Sequence, residues 1–171
     1  MVASGREGEV KEMSQEPGKK PVRIWWIDHN IGPDLGLSYT AFVSKLETCC
    51  GTKVDIKNIS NWVELMMHLA LISDGQSHDM PNLIITELGI PESFEDARAR
   101  IIKPFEGFYF WSDLRRREKW GKELAQVPVI VFTGESNPDI RQAMTEDSLT
   151  RWERKPAHQT LLEMIASFFK V

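Results

Sequence analysis

Few residues of this 171-residue chain are placed for chemistry, and those that are stand far apart. Asp28, His29 and Asn30 close a short apolar run. Glu87 closes a second, Thr133 and Gly134 a third, and Lys155 with Pro156 follows the mostly polar run TRWER over 150–154. Two carboxylates, a hydroxyl and an ammonium can together handle an anionic oxygen group or a hard cation, provided the fold brings them to one place. Each also has an ordinary reading. Asp28 and Glu87 are then solvated acids at strand ends, Thr133 caps a turn at Gly134, and Lys155 is a surface lysine. His29 is expected to be a partly exposed loop histidine rather than a metal ligand. The sequence carries no glycine-rich phosphate cradle, no CxxC and no nucleophile elbow.

Whether these residues meet depends on the elements that carry them. Residues 22–28 (VRIWWID) are short, β-branched and aromatic, as in a buried strand. Tyr39, Phe42, Val43, Leu46 and Cys50 fall on one helical face, and Gly51 supplies a stop. Residues 53–59 alternate with the period of a strand near a sheet edge. Asn61 is an N-cap for a helix whose inner side is Trp62, Leu65, Met66, Leu69 and Ile72.

Residues 82–88 (NLIITEL) predict a buried central strand. The least regular stretch follows. Residues 92–103 are charged and form either a short helix or a loop. Residues 107–124 are expected to be one helix with Phe108, Trp111, Leu114 and Trp120 on its apolar side. Residues 127–133 (VPVIVFT) read as the clearest strand. A weakly amphipathic helix over 138–148, a short strand over 150–154 and a final helix over 158–170 complete the chain. That last helix has Leu161, Leu162, Ile165, Phe168 and Phe169 as its apolar face.

Strands alternating with helices require parallel pairing through right-handed crossovers, with helices on both faces. The expected architecture is a flavodoxin-like (βα)5 three-layer sandwich whose five-stranded parallel sheet has the order 2-1-3-4-5. In such a sheet, sites form at the carboxyl ends of the strands. Asp28, Glu87, Thr133 and Lys155 all fall on that rim.

Bulk properties narrow the function classes. A net charge of −4 and a pI near 5.6 provide no field to gather nucleic acid or anionic lipid. The basic run Arg115, Arg116, Arg117, Lys119 and Lys122 is expected to be a solvated helix face. Adjacent Cys49 and Cys50 suit a reduced thiol pair better than a disulfide framework. No apolar stretch approaches the roughly 20 residues of a membrane span. Residues 1–20 are polar, lack a secretory core and are expected to be a flexible tail. One domain over 21–171, in the cytoplasm, is the expectation.

Taken together, these residues resemble the receiver domain of bacterial-type two-component response regulators, over about residues 21–171. PNLIITELGIP is similar to the family's third strand and the turn after it, with Glu87 where the phospho-accepting aspartate belongs. VPVIVFTGES puts Thr133 at the family's conserved hydroxyl, and Lys155-Pro156 matches its lysine and following proline. Trp152 falls where the family keeps a switch aromatic. The interval from Thr133 to Lys155, 155 − 133 = 22 residues, is about the family's spacing. The resemblance implies signal transduction without enzymatic activity. The implied partners are proteins, a histidine kinase or a downstream regulator. The implied interaction surface is the face of the family's fourth helix, fifth strand and fifth helix.

The departures from the family pattern bear on mechanism. Receivers present paired acids at the first strand end to hold Mg²⁺ with the acceptor aspartate; here the pair is Asp28 and His29. Mg²⁺ takes hard oxygen ligands, so Asp28 and Glu87 would hold it weakly at best, and no cofactor is expected. Glutamate carries the carboxylate about 1.5 Å farther out, and misplacement of about 1 Å can cost about a hundredfold in rate. The pocket of Asp28, His29, Glu87, Thr133 and Lys155 is thus expected to be degenerate. Glu87, paired with Lys155 and bonded to Thr133, could then hold an active-like state without phosphate. The domain would act through protein contacts independently of phosphorylation. Two alternatives stand beside this reading: a regulator still phosphorylated by a histidine kinase on Glu87 or Asp28, and a flavodoxin-like enzyme or small-ligand binder. Residues 91–107 exceed the family's compact turn and lie near the pocket mouth.

Overall fold

The computed structural model describes residues 19–31, 38–75 and 79–170. The expected 1–20 tail therefore lies outside the described residues, apart from Lys19 and Lys20, which precede the sheet. Five strands, β1 (Val22–Ile27), β2 (Val54–Ile59), β3 (Leu83–Thr86), β4 (Val129–Thr133) and β5 (Thr150–Arg154), make one sheet in the order β2-β1-β3-β4-β5. All four pairings are parallel. The expected flavodoxin-like topology is the one observed.

The apolar content of each strand sets its place in the sheet. β3 and β4 are buried at every position and β1 nearly so, as strands covered on both faces must be. β2 and β5 mix exposed and half-buried residues and occupy the edges. Successive side chains point to opposite faces. Trp25, Ile27, Ile84, Val129 and Val131 enter one core; Ile24, Trp26, Ile85, Ile130 and Phe132 enter the other.

Helices α1 (Tyr39–Cys50) and α7 (His158–Phe169) cover the second core with Phe42, Leu46, Leu161 and Ile165. The first core is covered by α2 (Trp62–Ser73), α4 (Glu106–Arg115), α5 (Lys122–Ala125) and α6 (Pro138–Thr145). A short helix, α3 (Phe94–Ala99), lies between β3 and α4 and buries no residue. Local chemistry fixes the ends. The Asn61 side chain accepts from the Glu64 N–H at 2.9 Å, and the Glu64 carboxylate accepts from the Ser60 N–H at 2.9 Å. That reciprocal cap starts α2 where expected. Gly51, with φ 65, ends α1 in the left-handed region that glycine tolerates.

Residues 107–124 are not one helix. α4 ends at Arg115, and Glu118 (φ 49) and Gly121 (φ 100) turn the chain before α5. The charged run after Arg115 offers no apolar spacing to continue the helix. Trp120 instead reaches back from the turn to the Phe110 ring, 5.7 Å away between centroids.

Candidate functional site

Each proposed site residue is placed by the sheet itself. The Asp28 N–H extends the β1–β2 ladder by donating to Ile59 O at 3.0 Å, and the Glu87 N–H extends the β1–β3 ladder to Ile27 O at 2.9 Å. The Lys155 N–H donates to Thr133 O at 3.0 Å, one step past the β4–β5 pairing. The side chains therefore emerge at the carboxyl ends of neighbouring strands. Asp28 is 4% exposed and Thr133 fully buried.

The four polar side chains bond to one another. Lys155 Nζ lies 2.6 Å from Asp28 Oδ2 and 2.8 Å from Glu87 Oε2. Glu87 Oε1 accepts from the Thr133 hydroxyl and from the Leu88 N–H, the latter at 2.7 Å. The second oxygen of Asp28 accepts from the Asn30 N–H at 2.8 Å, closing an Asx turn. The Thr133 oxygen also accepts from the Glu135 N–H at 3.1 Å, as a turn cap would. The cap and the pocket contact coexist in one hydroxyl. One ammonium is shared by two carboxylates, so the cluster carries an uncompensated negative charge. Burial pushes the Asp28 carboxyl above the ordinary aspartate value, and the facing Lys155 offsets this only in part.

His29 sits in the turn after β1. Its Nδ1 is 3.8 Å from Asp28 Oδ1, too long for a hydrogen bond, and has no hydrogen-bond partner. Trp152 is not in the cluster. It pairs in register with Val131 and packs, half-buried, against the first core. Ile102, Pro104 and Phe105 of the extended segment line a cleft of about 390 Å³ with Glu87, Thr133 and Glu135. That segment is tied down by an antiparallel bridge between Ile90 and Lys103. The start of α4 presses on the turn after β3: a Cβ on Gly107 would stand 2.1 Å from Glu87 O.

Sequence patterning misses one polar group. Arg115, expected on a solvated face, has a side chain only 10% exposed and an Nε 2.8 Å from Asp147 Oδ2. Its two other nitrogens donate to the carbonyls of Ala125 and Val127. Asp147 in turn accepts from the Thr150 hydroxyl at 2.6 Å, and Thr150 accepts from Trp111 Nε1 at 2.9 Å. The chain joins α4, the ends of α5 and α6, and β5. Its partners lie too far apart in sequence for any local pattern to show them.

The donor set does not fit a Mg²⁺-type site. Such a cation takes oxygen ligands in near-octahedral order. Here an ammonium already lies between Asp28 and Glu87, the remaining oxygens of both accept hydrogen bonds, and the third position offers an imidazole nitrogen. Among the described residues no group of three or more His, Cys, Asp and Glu side chains is arranged to hold a metal. Among the same residues, no helix is long and apolar enough to cross a membrane.

No protein-family model and no curated protein matches the chain. Solved structures do. The chain is similar to the chemotaxis response regulator CheY4 of Vibrio cholerae, at 17% identity and a TM-score of 0.53, over 87% of this chain and 99% of that one. It is similar to the signal receiver domain of a DNA-binding response regulator from Colwellia psychrerythraea 34H, at 15% identity and a TM-score of 0.56, over 85% and 96%. A third likeness is to the Mn²⁺-bound form of the response regulator Rcp1, at 17% identity and a TM-score of 0.50, over 86% and 91%. These likenesses establish the fold: the described chain has the fold of CheY-like receiver domains.

Proposed function

We propose that this chain is a receiver-like signalling module that works through protein contacts, without phosphorylation and without catalysing a reaction. The observation that carries the reading is the Lys155 ammonium, 2.6 Å from Asp28 and 2.8 Å from Glu87, while Glu87 also accepts from Thr133. A phosphoryl group on an acceptor carboxylate would need such a lysine and such a hydroxyl as its partners. Glu87 takes both, so the arrangement is held by a permanent charge. Its two oxygens are committed, and a nucleophile must be free to approach phosphorus in line.

The same cluster argues for a pocket that works without a metal. Rcp1 has been obtained with Mn²⁺; among the described residues of this chain, no group of three or more His, Cys, Asp and Glu side chains is arranged to hold a metal. The output is assigned to protein partners in the cytoplasm, a histidine kinase or a downstream regulator. The net charge of −4 opposes nucleic acid. The face of α6, β5 and α7 is a candidate surface, with Trp152 at its centre and Arg151 lying 4.2 Å over the Phe168 ring.

The test is an NMR titration with Mg²⁺ and beryllofluoride, which adds to a competent acceptor carboxylate in place of a phosphoryl group. The six tryptophan indole signals are the readout. The expected result is no saturating shift. Saturating shifts that include Trp152 would make the domain a phosphorylation-controlled receiver and overturn the proposal.

A further inference from the structure

Outside the pocket, three large apolar side chains converge on solvent. Val63 is 57% exposed, Met67 55% and Phe94 59%. Val63 and Met67 are one helical turn apart on α2, on the side away from Leu65 and Leu69. Phe94 opens α3 and faces them across a groove of about 540 Å³. That volume lies within the range of about 300–1,000 Å³ typical of ligand pockets.

The groove is built into the backbone. The first two N–H groups of α2, those of Trp62 and Val63, donate to the carbonyls of Pro91 and Glu92 at 2.9 and 3.1 Å. These bonds satisfy donors a helix start leaves open, and they fix the segment that bears Phe94 against α2. The Ser93 hydroxyl, which accepts from the Asp96 N–H at 3.2 Å, sets where α3 begins. A preformed groove binds without the cost of ordering its walls.

Its charge selects the occupant. Among the lining residues are two carboxylates, Glu64 and Glu95, and no cation. Nearby Lys103 is committed to Glu92 at 2.6 Å. The Arg98 guanidinium lies 5.9 Å from the Phe94 ring centre. A second copy docking by the same face would set these carboxylates against themselves. Residues 1–18 of this chain hold two basic and four acidic side chains, 2 − 4 = −2, and so do not complement the groove. The two lining carboxylates also disfavour the phosphates of nucleic acid.

We infer that the groove between α2 and α3 docks a short segment of a partner protein that carries apolar anchors flanked by lysine or arginine. Methionine at the centre of the wall adapts to the anchor it receives. The inference rests on the reading of this domain as a protein-binding module, and it names the surface and the chemistry of what binds there.

The experiment is a two-dimensional NMR titration of the full chain with a short synthetic peptide alternating leucine and lysine, beside one alternating leucine and glutamate. The leucine–lysine peptide is expected to give saturating shifts at the amides of Val63, Met67 and Phe94, and the leucine–glutamate peptide none. Val63→Ser with Met67→Gln should weaken binding by about tenfold or more. Phe94→Ser, on the opposite wall and in a helix with no buried residue, should do the same and guards against a fold effect in α2. Shifts elsewhere, equal binding of both peptides, or affinity retained in either variant would overturn the inference. The beryllofluoride titration is read on the same samples. A positive result there sinks the phosphorylation-independent reading and leaves the groove standing; failure of the peptides does the reverse.

Discussion

The ammonium of Lys155 and the carboxylate of Asp28 stand 2.6 Å apart although 127 residues separate them in sequence. The parallel sheet makes the meeting possible, because β1 and β5 end on the same rim with β3 and β4 between them. Glu87, at the end of β3, fills the gap, so one cation serves acids from two strands. The Asp28 and Lys155 side chains are only 1% and 11% exposed, which makes the pair expensive to break.

Lys155→Met should therefore destabilise the domain by about 3–5 kcal/mol, because it leaves two carboxylates facing each other out of water. Adding Asp28→Asn should recover part of that loss, since it removes one of the stranded charges. Urea unfolding of the wild type and both variants measures this. Equal stability of Lys155→Met and wild type would show that the bridge contributes nothing.

The Asp28 carboxyl should titrate above the ordinary 3.8, because burial disfavours its charged form more than Lys155 favours it. Its native value is thus higher than its unfolded one. Between the two, the native state holds the proton and the unfolded state does not, so the Asp28 contribution grows as pH falls through the native value. It is complete below the unfolded value and lost again as pH rises. Carbon-13 titration of the Asp28 carboxyl gives the midpoint directly. A midpoint below 3.8 would reverse the sign of the argument.

Two glycines near the site should behave oppositely. A Cβ on Gly107 would meet Glu87 O at 2.1 Å and Leu88 Cα at 2.9 Å, both backbone atoms that cannot swing aside. Gly107→Ala should cost about 1–3 kcal/mol and move the Glu87 turn. Gly134 has open space at the same position, so Gly134→Ala should stay within about 0.5 kcal/mol of wild type. Thermal or urea unfolding separates the two, and similar costs for both would discount the close packing of α4 on the turn.

The sheet was legible because its strands follow local rules. VPVIVFT and NLIITEL carry unbroken apolar runs, Val127 to Phe132 and Leu83 to Ile85, as strands covered on both faces have to, and KVDIKNI alternates polar and apolar residues through Lys57 as an edge strand does. The rim residues followed from the order of those strands. The break inside residues 107–124 was missed, although Trp120, nine residues after Trp111 and six after Leu114, falls off the helical face those two share and reaches Phe110 from a turn. Gly121, at φ 100, was a second signal. The start of α3 was also legible in principle, from Ser93 three residues before Asp96. Arg115 was not, because three adjacent arginines read as a solvated run, and only the fold brings Asp147 and the Ala125 and Val127 carbonyls to the first of them.

The network from Arg115 through Asp147 and Thr150 to Trp111 should hold α4 against β5. Thr150→Val keeps the β-branched shape but leaves Trp111 Nε1 buried without an acceptor, at a cost of about 1–3 kcal/mol. Thr150→Ser keeps the hydroxyl and should lose only the methyl contact, about 0.8 kcal/mol. Unfolding free energies compare the two, and the Trp111 indole proton, downfield while hydrogen-bonded, should move only in Thr150→Val. If the serine variant loses as much as the valine variant, packing and not the hydrogen bond holds the helix.

Rebuilding the pocket tests which departures matter. Glu87→Asp withdraws the carboxylate by about 1.5 Å and should loosen its hold on Thr133 and Lys155. His29→Asp replaces an imidazole whose Nδ1 has no hydrogen-bond partner with a hard oxygen donor beside Asp28. Either change alone leaves one fault in place, a misplaced acceptor or an incomplete oxygen set. The double variant should therefore gain a saturating, Mg²⁺-dependent indole response to beryllofluoride that wild type and both single variants lack. The expected pattern is strongly non-additive, because a metal-dependent acceptor needs both features at once. A full response from Glu87→Asp alone would show that His29 is no obstacle. No response from the double variant would place the block elsewhere, most directly in Ile102, Pro104 and Phe105, which wall the cleft beside Glu87.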